Sequence, residues 1–290
     1  MFLQQIVNGI SLGSIYALMA LGYTMVYGII RLINFAHGDV FMLGAFIGFA
    51  LSTRFSFSFF PALLMSMAAC AAIGMGIERI AYRPLRESSR IAALITAIGV
   101  SLFIEYTMMY FVGARVRAYT PLLPSSIYTF RGVIFSFQQI VIIATTVALM
   151  LLLNFIVLKT KRGKAMRAVA ADMDAAQLMG IDINKTISFT FLLGSALAGA
   201  AGVLVGIYYN SINPLMGSML GMKAFIAAVF GGIGSIPGAM LGGLGIGIIE
   251  TMVAGYANSM YRDAAVFLFL IIILIIKPTG LLGSSSGEKV

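Results

Sequence analysis

Apolar residues in this chain run in long blocks rather than alternating, and the blocks are cut by short polar or glycine-rich breaks. Continuous apolar stretches fall at roughly 5–28, 40–60, 61–81, 91–112, 137–158, 187–208, 222–257 and 263–277. A helix needs about 20 apolar residues to cross the hydrocarbon core of a bilayer, and most of these blocks are long enough. The pattern therefore predicts an all-α, polytopic membrane protein of about eight hydrophobic segments, forming one membrane domain over 1–290.

Two blocks are interrupted. RLINFAHGD at 31–39 separates the first span from a glycine-containing apolar stretch of about a dozen residues that ends near Leu51. The block 222–257 is long enough for two short passes and is broken at GGIGSIPG, 231–238. Each interrupted element follows a long span, 5–28 or 187–208, and those two spans run in opposite directions. That arrangement predicts an inverted repeat with broken, re-entrant helices, and in transporters such breaks mark the solute path. The expected path residues are Asn34, His37, Gly38 and Asp39 from the first break, and Gly231, Gly232, Gly234, Ser235 and Pro237 from the second.

A short helix starting near Asp39 would aim its N-terminal amides at a central cavity, which suits an α-carboxylate. Asp39 reads as the cap of that helix, with an ammonium contact as the alternative. His37 reads as a packed histidine, with a ligand contact as the alternative. The 231–238 turn either shows backbone groups to the cavity or simply lets two helices cross. Four glycine pairs, Gly9 with Gly13, Gly44 with Gly48, Gly202 with Gly206 and Gly243 with Gly247, each put two glycines on one helix face and predict close helix crossings.

Composition agrees with the block pattern. The 290 residues are 60% hydrophobic and only 10% charged, where soluble domains carry about a quarter charged residues. The first basic residue is Arg31, so the N-terminus lacks the charged region of a secretory signal and its first span is retained. The single cysteine, Cys70, excludes an internal disulfide.

The net charge of +9 reports topology rather than nucleic-acid binding. Arg79, Arg83, Arg86 and Arg90 crowd one loop, and Lys159, Lys161, Arg162, Lys164, Arg167 and Lys185 another, with Lys277 and Lys289 after the last block. Arg115, Arg117 and Arg131 lie on the opposite side. The positive-inside bias places the two basic loops and the C-terminus in the cytoplasm, and parity then puts the N-terminus outside. Arg54, Lys223 and Arg262 are expected to snorkel to the outer interface, with a bundle acid as the alternative partner for Lys223. Glu105 and Glu250 fall inside spans and are expected to meet structural partners there.

Several chemistries are missing. There is no GxxxxGK[ST] phosphate loop, no GxSxG elbow, and His37 is the only histidine. The chain thus has no site of its own for nucleotide or for nucleophilic catalysis, and it reads as a non-enzyme.

One polar stretch stands apart, the loop 159–185. Residues 165–179 lack Pro and Gly and predict a short helix with an apolar stripe of Ala168, Ala171, Ala175, Leu178 and Met179. Asp174 and Gln177 face away from the stripe, and Gly180 stands where a C-terminal capping glycine belongs. A helix this short is marginal alone and needs a surface. The bilayer interface is one such surface; an alanine-rich stripe fits a protein groove better.

Asp174-Ala175-Ala176, followed by Gly180, resembles the "EAA…G" loop of ABC-importer permeases, with Asp in place of Glu. INFAHGDVFMLGAF at 33–46, KAFIAAVFGGIGSIPGAMLGG at 223–243 and KPTGLLG at 277–283 are similar to the H-type permeases of branched-chain amino-acid transporters. The resemblance runs over essentially the whole chain. It implies a permease of a bacterial inner membrane whose coupling helix docks on an ATPase through Ala171, Asp174, Ala175, Ala176, Leu178, Met179 and Gly180. It also implies a second related permease subunit, two cytoplasmic ATP-binding subunits that hold the ATP and Mg, and a periplasmic substrate-binding protein. The implied function is import of Leu, Ile, Val or related amino acids. The alternatives are a permease for urea or amides, or a stand-alone carrier or channel for small polar solutes.

Overall fold

The computed structural model describes residues 1–30, 32–86, 88–130 and 132–283, with the Arg90 and Phe130 side chains left aside. Arg31, Arg131 and Lys289, used above as topology signals, lie outside the described residues. In chain order the helices are α1 (Phe2–Ile30), α2 (His37–Phe55), α3 (Phe59–Ile77), α4 (Arg90–Val112), α5 (Phe137–Lys159), α6 (Lys161–Ala171), α7 (Met173–Leu178), α8 (Ile183–Tyr209), α9 (Met216–Gly231), α10 (Ile236–Tyr256) and α11 (Arg262–Ile276). Among the described residues, eight helical segments are long and apolar enough to cross a bilayer, and α9 is a shorter apolar helix. The chain is a multi-pass membrane protein.

The breaks fall close to where the sequence puts them. The block 222–257 divides at 232–235 into α9 and α10. Ser235 caps α10 by accepting from Gly238 N at 3.2 Å, and Pro stands in the first helical turn, where its missing N–H costs nothing. The first interrupted element departs from expectation. α2 is a continuous helix of 19 residues, long enough to span, instead of a dozen-residue fragment. Its break is confined to the segment before it, 32–36.

That segment re-enters the bundle. The His37 ring lies against Gly22, eight residues before the end of α1, or about 12 Å at 1.5 Å per residue. The chain after α1 therefore turns back into the protein before α2 begins. At the same depth α9 begins: a Cβ on Gly217 would lie 2.7 Å from the Gly38 carbonyl oxygen and 2.9 Å from an Asp39 carboxylate oxygen. A long helix, a break and a shorter helix thus occur twice, as α1–α2 and α8–α9, and the starts of the two shorter helices touch.

Glycine decides how tightly the long helices cross. Gly13 sits on the α10 backbone, its missing Cβ 2.8 Å from Leu244 Cα and 2.9 Å from Gly243 O, while Gly9 meets Ile248 and Thr251. Rising number on one helix meets falling number on the other, so α1 and α10 are antiparallel. Gly44 meets Gly199 and Gly48 meets Val203, so α2 and α8 run parallel. Gly202 faces Phe41 and Ala45 of the same crossing. Seven of the eight predicted glycines therefore lie in two crossings, α1 with α10 and α2 with α8, while Gly206 packs on the Tyr119 ring. Apolar lipid supplies little drive for helix association, and close backbone approach provides dispersion contact in its place.

α1 and α8 are almost wholly enclosed, whereas α4 and α11 present most of their apolar side chains outward. The region 113–136 contains short strands that the block pattern does not signal. β1 (Arg117–Ala118) pairs antiparallel with β4 (Ser211–Ile212), and β2 (Ile127–Phe130) forms a hairpin with β3 (Val133–Ser136). Ser136 then opens α5 with a reciprocal capping box to Gln139.

Candidate docking helix and translocation path

The loop 159–185 holds two helices, not the single one predicted over 165–179. The chain is extended at Asp172 (φ −156°, ψ 115°), whose carboxylate accepts from Ala175 N at 2.9 Å and so starts α7. Asp at this position competes with the helix interior for backbone N–H groups, which is why the aspartate ends α6 and caps α7. At the other end Gly180 takes φ +82°. Gly180 N donates to Gln177 O at 2.9 Å and Ile181 N to Ala176 O at 3.0 Å, the paired bonds of a Schellman motif.

Of the seven predicted docking residues, Ala171, Asp174, Ala175, Leu178, Met179 and Gly180 are exposed, and Ala176 is buried against its own chain. Ala176 is thus an anchor for α7 and not part of the exposed face. Leu178 is 89% exposed and Met179 83%. Two adjacent large apolar side chains bared at the tip of a helix capped at both ends, between basic segments, make an exposed contact point.

The residues of the first break are closed in. Asn34 is buried and its Oδ1 accepts from the Tyr82 hydroxyl at 2.8 Å. His37 packs edge-on against Tyr23, ring centroids 4.6 Å apart, in keeping with a packed histidine. Asp39 is not the cap of α2: the N-cap position is Ala36, without a side-chain bond. Asp39 instead reaches across to α4, where one carboxylate oxygen accepts from the Ser101 hydroxyl. Its other oxygen and His37 Nε2 have no hydrogen-bond partner among the described residues.

The second break sits elsewhere. Gly231 and Gly232 are buried while Gly234 and Pro237 are exposed, and Gly232 (φ +104°) packs on the backbone of Leu282 and Gly283. Leu281 N and Leu282 N donate to Phe230 O and Gly231 O, both at 2.9 Å, so the KPTGLLG segment seals this turn. Between the two breaks lies a narrow apolar cleft lined by Tyr23, Tyr27, Ile33, Phe225, Ala228 and Ile233. At about 10 Å³ it holds no amino acid.

Most buried charged side chains among the described residues are ion-paired; Asp39, held only by the Ser101 hydroxyl, is not. Lys223 does not snorkel but takes the alternative, bundle acids: it is 2% exposed, with Nζ 2.8 Å from Glu250 and 2.6 Å from Asp263. Arg262 Nε stands 3.8 Å from Glu250, and Tyr16 donates to the same carboxylate at 2.8 Å. Glu250 thus has the structural partner expected of it. Glu105 does not, being half-buried with no ion pair or side-chain hydrogen bond among the described residues. Among those residues no group of three or more His, Cys, Asp or Glu side chains could hold a metal ion.

Sequence reading missed Glu78. It lies fully buried in a π-helical turn, Glu78–Tyr82, where α3 continues past Ile77. Arg86 pairs with one oxygen and the Ser188 hydroxyl donates to the other at 2.5 Å, while Arg86 also reaches Asn184 at 2.6 Å. This cluster joins α3 to the first turns of α8, directly after α7. An acid eight residues before an arginine at the end of an apolar block is the signal that could have found it.

A family model described as branched-chain amino acid transport system / permease component matches residues 5–276. The chain belongs to that family. The permease is 45% identical to the high-affinity branched-chain amino acid transport system permease protein BraD of Pseudomonas aeruginosa, with 100% of this chain and 98% of the relative covered. It is 44% identical to LivH of Escherichia coli K12 over the same shares, and 30% identical to a probable LivH of Methanocaldococcus jannaschii over 93% and 89%. A solved structure, PsaBC from Streptococcus pneumoniae in complex with Fab, superposes with a TM-score of 0.51 at 14% identity, covering 96% of this chain and 93% of that one. At that identity the likeness speaks for the fold alone.

Proposed function

We propose that this permease is the membrane subunit of an ATP-driven importer that carries branched-chain amino acids, Leu, Ile or Val, into the cytoplasm. The observation that carries the reading is the bared Leu178–Met179 tip on a helix fixed at both ends, Asp172 at its start and Gly180 at its finish. A self-sufficient carrier has no use for such a contact. The relatives named for branched-chain amino acid transport supply the solute class. The proposed assembly has a second related permease, two ATP-binding subunits holding ATP and Mg on the cytoplasmic side, and a substrate-binding protein outside. Basic residues set the orientation, with the N-terminus outside and the C-terminus inside.

For the path, the starts of α2 and α9 touch through Gly38 and Gly217, and beside them lie two buried polar atoms without hydrogen-bond partners among the described residues, His37 Nε2 and Asp39 Oδ1. Parting these helix starts would open a polar surface deep in the bundle and direct the N-terminal dipole of α2 at a carboxylate. Asn34, His37, Gly38 and Asp39 act there. Gly231, Gly232, Gly234, Ser235 and Pro237 form the turn that lets α9 move against α10. The test is reconstitution with the cognate ATPases and binding protein. Leucine uptake should require ATP, and Asn34→Ala should lower it without changing leucine affinity of the binding protein. Solute flux by the purified chain alone, or preferred uptake of urea or amides over leucine, sinks the proposal.

A further inference from the structure

At the end of the bundle that carries the docking helix, α3, α6 and α8 enclose a groove of about 520 Å³. Its inner part is apolar, lined by Met75, Phe189 and Leu192, which belong to helices that cross the membrane. Its outer part holds Arg79, Arg83 and Arg162, with Lys185 and Asp182 at the rim. Lys185 is paired with Asp182 at 3.0 Å and Arg86 with Glu78, so neither needs an outside anion. Arg79, Arg83 and Arg162 form no ion pair among the described residues. Arg162 is already oriented, its guanidinium stacked 4.7 Å from the centroid of Phe189.

We propose that this groove binds an anionic phospholipid, the phosphate held by Arg79, Arg83 and Arg162 and an acyl chain lying along Met75, Phe189 and Leu192. Three guanidiniums offer forked donors that match phosphate oxygens. Basic pockets between membrane helices on the cytoplasmic side are suited to acidic headgroups. A soluble phosphate would leave the apolar half wet, whereas a lipid fills both halves. The bound lipid would brace α3 and α8 against α6, immediately beside the docking helix.

The test uses the full chain in detergent micelles carrying equal amounts of phosphatidylglycerol and phosphatidylcholine, with retained lipid counted by native mass spectrometry. The chain should retain phosphatidylglycerol selectively. The Arg79→Gln, Arg83→Gln, Arg162→Gln triple variant should retain about a hundredfold less, each basic residue contributing about fivefold. Lys277→Gln, outside the groove, should match the parent. Equal retention by the triple variant overturns the site. So does release by inorganic phosphate beyond that caused by chloride of equal ionic strength, which would mark a soluble-anion site. Should the triple variant fail to fold, photo-crosslinking of a phosphatidylglycerol acyl chain to the parent decides: adducts at Met75, Phe189 or Leu192 support the site, and adducts only elsewhere overturn it.

Discussion

Lys223 of α9 and Glu250 of α10 bury opposite charges 2.8 Å apart, each side chain 2% exposed. With Asp263 at 2.6 Å from the same ammonium and Tyr16 on the same carboxylate, the pair binds four helices at one point. Breaking a buried pair strands the remaining charge, which costs about 3–5 kcal/mol. Lys223→Met should lower stability by that order in detergent thermal unfolding. Adding Glu250→Gln should recover part of the loss. A double-mutant cycle without coupling would show that the pair is not acting as a unit.

The glycine crossings give a sign test. An alanine at Gly202 would push its Cβ into the Phe41 carbonyl and to 2.6 Å from Ala45 N, both backbone atoms that cannot swing away. Gly202→Ala should therefore destabilise by about 1–3 kcal/mol. Gly76→Ala meets nothing within 4 Å and removes a glycine from a helix. It should be neutral or stabilise by up to about 1 kcal/mol. Thermal unfolding of the two variants side by side checks the contrast.

Charge at the docking tip should separate assembly from insertion. Leu178→Glu with Met179→Glu places two carboxylates on a surface already in water, so folding and membrane insertion should match the parent. ATP-dependent uptake by the reconstituted assembly should fall by at least about tenfold, as for loss of an apolar anchor at an interface centre. Uptake at the parent rate would assign the ATPase contact to another part of the chain.

Geometry of the docking helix is open to a separate measurement. Asp172→Ala removes the cap of α7 and should cost about 1 kcal/mol locally. Gly180→Ala forces a Cβ into φ +82° and should cost about 1–2 kcal/mol. Faster amide exchange confined to 173–181 is the expected readout. Unchanged exchange would show that the helix is held by other contacts.

Most of the fold was legible because lipid imposes a coarse and strict code. Most span ends match the apolar blocks within a few residues, and the glycine pairs marked the crossings of α1 with α10 and of α2 with α8, though not that of α3 with α8. What escaped reading depends on local polar competition or on distant partners. Asp172 splits the cytoplasmic helix because one carboxylate can cap, a preference that periodicity over 165–179 does not register. Glu78 sits in apolar surroundings and its partners, Arg86 and Ser188, come together only on folding; for Lys223 the sequence allows a bundle acid as one of two readings, and which acids serve, Glu250 and Asp263, is likewise settled only on folding. Asp39 looked like a cap because it opens a helix, yet Ser101 of α4 claims its carboxylate. The strands at 117–118 and 211–212 are two residues long, too short for alternation to show.

Only Ile181 and Asp182 stand between the Gly180 turn and α8, and both are committed. Ile181 N is bonded back to Ala176 O, while Asp182 caps α8 by accepting from Lys185 N at 3.0 Å. The joint therefore has almost no slack. On the proposed docking role, a push delivered to Leu178 and Met179 would reach the first turn of α8 as displacement instead of being absorbed by a bending loop. Little of a motor's stroke would be lost before it arrived at the membrane.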